Sequence, residues 1–253
     1  RIKGDNSLVS LENKILRELV MEHQEELLKA IQSGNVDIAY NHIYDLCGTR
    51  ICFSLEEEVE ILIDIFSEMV KKQDFEPQYI ANYRGPGISP ILTEEQMQTF
   101  INLCNSYGYN VIESRAIYDS GYTGLHANGI LKHITPSNAS IPIEIQVRPK
   151  AINELLDAIH IAYDVFNGKD PLKMLKVEEY NRMKVFVKGF EEINTKGLKD
   201  TYYKYQVDFI KASLEKLPLP RIDDPKYGLE GFEYLSLEKI LEFKHWQDSC
   251  KTK

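Results

Sequence analysis

The sequence lacks the features that mark membrane-spanning and secreted proteins. In its 253 residues, no apolar run reaches the roughly 18–20 residues that a membrane-spanning helix needs. No signal-peptide pattern is present. The four cysteines have neither C-x-x-C spacing nor zinc-ligand spacing to histidines; they are Cys47, Cys52, Cys104 and Cys250. Scattered thiols of this kind indicate a reducing compartment, so we expect a soluble, cytoplasmic protein with no membrane partner.

Positive charge is also scarce. The chain has 30 Lys and Arg against 39 Asp and Glu, which gives a net charge of −9. This balance argues against binding nucleic acid through overall charge, but it leaves room for a local basic patch. A hydrophobic content of 43% is enough for a packed core.

Apolar periodicity divides the chain into an α+β region and a helical region. Capping-box spacing predicts helix starts at Ser54, with Glu57, and at Thr93, with Gln96. The segment 74–92 contains Arg84-Gly-Pro-Gly87 and is predicted to be a loop. The predicted strands are 49–53, 109–118, 126–134 and 141–148, and the other predicted helices are 8–33, 151–166, 173–195, 199–216 and 236–246. The fold class is therefore α+β, with a mixed sheet of about five strands flanked by helices and a C-terminal helical extension.

Two segments carry acidic side chains next to predicted strands. The run 141–148 alternates strictly, so Glu144, Gln146 and Arg148 share one face of a strand. Asp45 opens the pattern D-x-x-G-x-R, which ends at Arg50. Taken singly, a polar strand face is most often solvated, and an aspartate before a turn is most often a cap.

Two further segments have residue types that suit nucleotides. Tyr122 and His126 lie in the glycine-containing run 121–126, which alone is typical of a hairpin turn around a packed tyrosine. Arg1, Lys3 and Ser7 precede the predicted helix 8–33, where cations beside a helix N-terminus suit phosphate groups. A solvated chain end is the commoner explanation of such a run.

Taken in their order along the chain, which is 1–7, 45–50, 121–126 and 144–148, the four segments resemble the synthetase domain of the RelA/SpoT family over roughly residues 1–167. The resemblance implies a nucleotidyltransferase-like pyrophosphokinase domain at 1–170, followed by a helical extension at 171–253. His160 and Tyr163 fit the helix that the family places next. The implied reaction moves the β,γ-pyrophosphate of ATP to the 3′-hydroxyl of an acceptor nucleotide and releases AMP. Within that family, the chain resembles the small, single-domain alarmone synthetases and the toxins related to them.

The resemblance also implies a role for each motif residue. Asp45 and Glu144 would hold Mg²⁺, and both are expected to act in catalysis together with Arg50. Glu144 or a nearby group would help to deprotonate the 3′-hydroxyl. The expected ATP-binding residues are Arg1, Lys3, Ser7 and Arg50. The expected acceptor-binding residues are Tyr122, which would stack on the base, His126, Gln146 and Arg148.

The chain departs from the family in ways that bear on the acceptor. Leu11 stands where the donor loop usually has a lysine, and Gly124 replaces a usual serine. The stretch 113–119, lysine-rich in guanine-nucleotide synthetases, holds one arginine, two acids and no lysine. The stretch 74–108 resembles an insertion. A surface with so little positive charge suits an acceptor without free phosphates beside the reacting sugar.

Three functions remain open. The acceptor is either a free guanosine nucleotide, as in alarmone synthesis, or the 3′-terminal adenosine of tRNA, as for a toxin neutralised by an antitoxin protein. The missing lysines favour the second, and the acidic total charge favours the first. A catalytically weak nucleotide- or partner-binding module is the third; the missing donor-loop lysine motivates it. A homo-oligomer is a further expectation of the resemblance.

The predicted helical pair at 173–216 provides a possible RNA surface. It has ten Lys and Arg against seven Asp and Glu, together with Tyr202, Tyr203 and Tyr205. A basic, aromatic stretch can follow a phosphate backbone. An ordinary solvated helical face explains the same residues and is the commoner case.

Overall fold

The computed structural model describes residues 47–132, 140–168 and 177–251, together with residues 29, 32 and 33. Four of the predicted site residues, Arg1, Lys3, Ser7 and Asp45, lie outside the described residues, as does most of the predicted helix 8–33.

The described chain has an α+β fold with a mixed, open five-stranded sheet flanked by helices, which confirms the expected fold class at this level. The strands are β1 (Cys47–Phe53), β2 (Phe75–Tyr83), β3 (Ile112–Ser114), β4 (Gly124–Leu131) and β5 (Ile141–Pro149). The α-helices are α1 (Glu56–Lys71), α2 (Glu94–Ser106), α3 (Asn153–Phe166), α4 (Val177–Thr195), α5 (Lys199–Glu215) and α6 (Leu237–Lys251). Short 3₁₀ turns span Lys150–Ile152, Pro225–Tyr227 and Glu233–Leu235. The strand order is β1-β5-β4-β2-β3, with β2 and β3 parallel and β4 and β5 antiparallel.

The prediction of a loop over 74–92 was wrong for its first half. Phe75–Tyr83 forms β2, which lies between β4 and β3 inside the sheet and buries Phe75, Ile80 and Ala81. The pairing of β2 with β3 is confined to residues 79–81, so the missing N–H of Pro77 removes no hydrogen bond from that pairing. This part of the stretch that resembles an insertion is therefore integral to the sheet.

The two predicted helix starts had different outcomes. Thr93 and Gln96 form the predicted capping box: Gln96 N donates to Thr93 Oγ1 at 3.2 Å, and Thr93 N donates to Gln96 Oε1 at 2.9 Å. At α1 the prediction is off by one residue. Leu55 is the N-cap, and the Glu58 carboxylate accepts from the backbone N–H of Ser54 at 2.6 Å. The acidic side chain, rather than the serine hydroxyl, therefore satisfies the backbone here.

The described residues fall into two compact units that interleave along the chain. The first comprises the described parts of Arg1–Asn82, Leu92–Arg115 and Gly124–Val147. The second comprises the described parts of Tyr83–Ile91, Ala116–Thr123 and Arg148–Lys253. The predicted domain boundary at residue 170 stays a prediction.

Each unit has its own core. In the first, α1 contributes Val59 and Phe66 to a small apolar cavity that is also lined by Ile80, Leu125 and Val147 of the sheet. The second is dominated by aromatic rings packed mostly edge to face, such as Phe190 and Tyr202, whose centroids are 5.2 Å apart. No helix among the described residues is both long and apolar enough to cross a membrane.

The tyrosines of the predicted basic stretch belong to the second core. Tyr202, Tyr203 and Tyr205 are all buried, and the Tyr202 hydroxyl donates to the Leu235 carbonyl oxygen at 2.8 Å. Burial raises the pKa of Tyr203 to about 12. These three rings are core residues and are not part of an exposed surface, while the predicted RNA contact of the helical pair 173–216 stays a prediction.

Candidate functional site

A polar cluster lies on the first unit's sheet, where β4 and β5 pair. The antiparallel register places His126 opposite Gln146 and Asn128 opposite Glu144. His126 Nδ1 lies 2.9 Å from Glu144 Oε1, and Gln146 Nε2 donates to Glu144 Oε2 at 2.7 Å. We call Glu144, His126 and Gln146 the Glu144 cluster. It joins residues of two separate sequence motifs around one carboxylate.

Strand alternation explains why these side chains meet. Glu144 and Gln146 occupy one face of β5, while Ile145 and Val147 are buried on the other. His126 reaches Glu144 diagonally across the strand pair, a distance that a long side chain spans. The His126 and Glu144 side chains are 13% and 19% exposed, so the cluster is partly shielded but remains open to solvent.

The hydrogen bonds define what the Glu144 cluster can do chemically. An ionised carboxylate only accepts hydrogen bonds, so His126 donates from Nδ1, and in its neutral form Nε2 is then an acceptor. His126 and Gln146 contact different oxygens of Glu144, which orients the carboxylate. A carboxylate is a group that can accept a proton or bind a hard metal ion.

A second cluster is built around a buried cation in the second unit. Arg148 is only 2% exposed; its Nη1 donates to Asp157 Oδ1 at 2.9 Å, and its Nη2 donates to the Tyr122 hydroxyl at 3.1 Å. The guanidinium carbon also lies over the Tyr122 ring, 5.3 Å from its centroid. We call Tyr122, Arg148 and Asp157 the Tyr122 cluster. The predicted acceptor contact of Arg148 stays a prediction.

Aromatic rings surround Tyr122, which is itself 9% exposed. The centroids of Tyr118, Tyr83 and His160 lie 6.0, 6.1 and 5.5 Å from that of Tyr122, and Tyr163 is 6.2 Å beyond His160. Tyr83, Tyr118 and Tyr163 are half-buried, and His160 is exposed. Partial desolvation of its ring, followed by the charge of Arg148, lowers the pKa of His160 and favours the neutral imidazole.

Glycines fix the turn that carries Tyr122. Gly121 has φ of +82°, and a Cβ added there would stand 2.7 Å from Cδ1 of Ile210. Gly85 N donates to Thr123 Oγ1 at 3.2 Å, so the Arg84–Gly87 turn packs directly on this segment. The glycine-rich loop noted in the sequence therefore supports the turn that carries Tyr122.

The remaining predicted residues have separate places. Arg50 is exposed on β1, and Asp45 lies outside the described residues, so the expected pairing of Asp45 with Glu144 at a metal ion stays a prediction. Among the described residues, no three His, Cys, Asp or Glu side chains gather at one point. The hard oxygens of Glu144 fit Mg²⁺ as a single ligand, since this ion keeps several of its waters.

Sequence reasoning missed Asp157 and the rings of Tyr83 and Tyr118. Asp157 lies nine residues after Arg148, on a helix that follows a 3₁₀ turn, so the contact depends on the angle of that turn.

Arg115, the one cation of the stretch 113–119, forms ion pairs with Glu94 and Glu113. It is therefore already matched by two acids, which deepens the shortage of positive charge noted in the sequence.

No protein-family model, curated protein or solved structure matches this chain. The likeness to RelA/SpoT synthetases therefore depends on the quoted motif residues alone.

Proposed function

We propose that this protein is an ATP-dependent pyrophosphokinase of the RelA/SpoT synthetase type, with a nucleotidyltransferase-like fold. One observation carries the proposal. Residues of the Tyr122–His126 motif pair with residues of the Glu144–Arg148 motif, His126 with Glu144 and Tyr122 with Arg148. Two motifs that are each weak alone thus contact each other as a common role requires.

The proposed reaction is an in-line displacement at the β-phosphorus of ATP. The acceptor's 3′-oxygen forms a bond to that phosphorus, the bond from phosphorus to the α,β-bridging oxygen breaks, and AMP leaves. The hydroxyl proton passes to a carboxylate oxygen of Glu144, which His126 and Gln146 hold in one orientation. The sugar of the acceptor is assigned to the Glu144 cluster.

The donor side of the proposal uses residues from three segments. Arg1, Lys3, Ser7 and Arg50 are assigned to the ATP phosphates, and Asp45 and Glu144 to Mg²⁺. When bound, the ion supplies positive charge against the transferring phosphoryl oxygens. Glu144 is the one described carboxylate in this set, and its oxygens suit that ion.

The shortage of free positive charge favours tRNA as the acceptor over a guanosine nucleotide. Arg115 is held by Glu94 and Glu113, so the stretch 113–119 offers little to a di- or triphosphate. The 3′-terminal adenosine of tRNA has no such group beside the reacting sugar. We therefore place the toxin-type reaction first and alarmone synthesis second.

The experiment measures AMP released from ATP with Mg²⁺ in the presence of deacylated tRNA, GDP or GTP. The wild type is expected to release AMP with one acceptor, and Glu144→Gln to slow the release at least about 100-fold, as loss of a general base does. Glu60→Gln, an exposed change on α1, is the matched control and should behave as wild type. AMP release that is unchanged in Glu144→Gln would overturn the proposal. A wild type that is inactive with every acceptor would favour the binding-module function.

A further inference from the structure

The ring of Tyr122 is poorly placed to stack on a ligand. It is 9% exposed, the Arg148 guanidinium lies over it, and Tyr83, Tyr118 and His160 stand around it. Stacking requires an open ring face against the base. Protein groups therefore already surround the ring of Tyr122, which is the ring that the motif predicts to stack on the base.

The more exposed aromatic rings are the neighbours of Tyr122 and the ring that follows them. His160 is exposed, and Tyr118 and Tyr163 are half-buried. Two of these rings are in direct contact with Tyr122, with centroids at 5.5 and 6.0 Å, and the third follows His160 at 6.2 Å and 88°. We call Tyr118, His160 and Tyr163 the aromatic rim.

Buried charged residues next to the aromatic rim hold the segments of backbone that carry it. Arg148 reaches the Tyr122 hydroxyl and is itself bound by Asp157 from α3, the helix that also carries His160 and Tyr163. The other end of the rim is fixed by the backbone, because Tyr118 N donates to the Arg84 carbonyl at 2.9 Å. The backbone that carries the rim is therefore held in place before a ligand binds, which lowers the cost of ordering it on binding.

The chemistry of the rim defines a class of ligand. Two phenol rings and an imidazole offer π-surface and hydrogen-bonding edges, which suit a planar heteroaromatic ring. Two charges of each sign lie near His160, so the rim favours an uncharged group over a phosphate; they are Arg148, Asp164, Asp157 and Lys244. A nucleobase has these properties.

We infer that the aromatic rim binds the base of the acceptor, and that Tyr122, Arg148 and Asp157 position the rim without touching the ligand. The identity of the ligand as the acceptor depends on the proposed function. Arg148 and Asp157 are thus positioning residues, and His160, Tyr118 and Tyr163 determine how tightly the base binds.

Equilibrium dialysis of the full chain with tritiated adenosine, and separately with tritiated guanosine, tests the inference without turnover. Replacing His160 with Ala, or Tyr118 with Ala, should weaken binding of the preferred nucleoside about tenfold, the usual effect of losing one stacking ring. His160→Phe keeps a ring and should restore affinity to within about threefold. Tyr234→Ala, an exposed tyrosine of the same unit, is the control and should bind as wild type.

The outcomes separate the inference from the proposed function. Rim variants that bind as tightly as wild type, or a wild type that binds neither nucleoside, would overturn the inference even if AMP release is normal. Nucleoside binding that depends on the rim, in a protein that releases no AMP, would support the rim and overturn the pyrophosphokinase. Thermal unfolding of each variant checks that lost binding is not lost folding.

Discussion

The two polar clusters come from the same two sequence motifs but have different environments. Glu144 and His126 keep a fifth and an eighth of their side chains in solvent, whereas Arg148, two residues beyond Gln146 on β5, is 2% exposed. The first cluster is open to a reacting group, and the second is closed by protein partners. Residues of one motif therefore differ widely in how much of their side chains solvent can reach.

The difference also predicts unequal contributions to stability. A buried cation is costly when unpaired, so the partners of Arg148 should contribute strongly to folding. The partners of Glu144 can be replaced by water and should contribute little. Four substitutions test this contrast, from the largest expected change in the free energy of unfolding to the smallest.

Asp157→Ala should lower the free energy of unfolding most, by about 3 kcal/mol, because it leaves the buried Arg148 cation without its carboxylate. Asp157 is a third exposed, which places the effect at the lower end of the range for such pairs. Urea unfolding measures the change, with the exposed Asp64→Ala on α1 as control. Equal midpoints for the two variants would contradict the assigned role of Asp157.

Gly121→Ala should cause the second-largest loss in the free energy of unfolding. Both Gly121 and Gly108 have positive φ, at +82° and +84°, but only at Gly121 would a Cβ meet a neighbour, Ile210, at 2.7 Å. Gly108→Ala should therefore cost about 1 kcal/mol for the backbone alone, and Gly121→Ala about 1 kcal/mol more for the clash. If thermal unfolding gave the same loss for both, the turn that carries Tyr122 would be looser than described.

Much of this architecture could be predicted from the sequence, and the reasons differ between elements. The alternation of 141–148 gave β5 and the shared face of Glu144 and Gln146, because a period of two is a local property. The strand 75–83 was missed because the turn signals at Arg84–Gly87 and Ser89-Pro90 were taken to describe the whole stretch 74–92. Its place is set by pairing with distant strands, which local pattern does not contain.

The candidate site was predictable to the same extent. The motifs named His126, Glu144 and Tyr122, but no local pattern indicated that Arg148 would be buried or that Asp157 would bind it. Those facts depend on how α3 packs after the 3₁₀ turn. Likewise, the tyrosines of α5 lie in a sequence pattern typical of an exposed basic face, yet they are buried in the core of the second unit.

Tyr122→Phe should lower the free energy of unfolding by about 1–2 kcal/mol, which is less than the effect of Gly121→Ala. It removes one hydrogen-bond acceptor from Arg148 and keeps the ring. Nucleoside affinity should stay unchanged if the aromatic rim, and not the Tyr122 hydroxyl, meets the base. Denaturant titration and equilibrium dialysis on the same preparation give both values. A variant of wild-type stability with lost affinity would reverse the assigned roles of Tyr122 and the rim.

Glu144→Gln should have the smallest effect on stability, within about 1 kcal/mol of wild type, since the amide oxygen still accepts a hydrogen bond and the cluster is open to water. The same variant is expected to lose catalysis, so stability and activity should separate sharply at this residue. Thermal unfolding beside the AMP assay shows it. A loss of several kcal/mol would mean that Glu144 is a structural residue like Arg148.

The most direct test of the central claim follows the pyrophosphate group. Purified protein is incubated with Mg²⁺ and ATP labelled with ³²P at the γ position, with deacylated tRNA in one reaction and GDP or GTP in another. The toxin-type reaction predicts label in the tRNA, released by removal of its 3′-terminal nucleotide, together with one AMP for each group transferred. Label in the guanosine nucleotide would keep the reaction and change the acceptor. Label in neither, with no AMP formed, would contradict the proposed pyrophosphokinase.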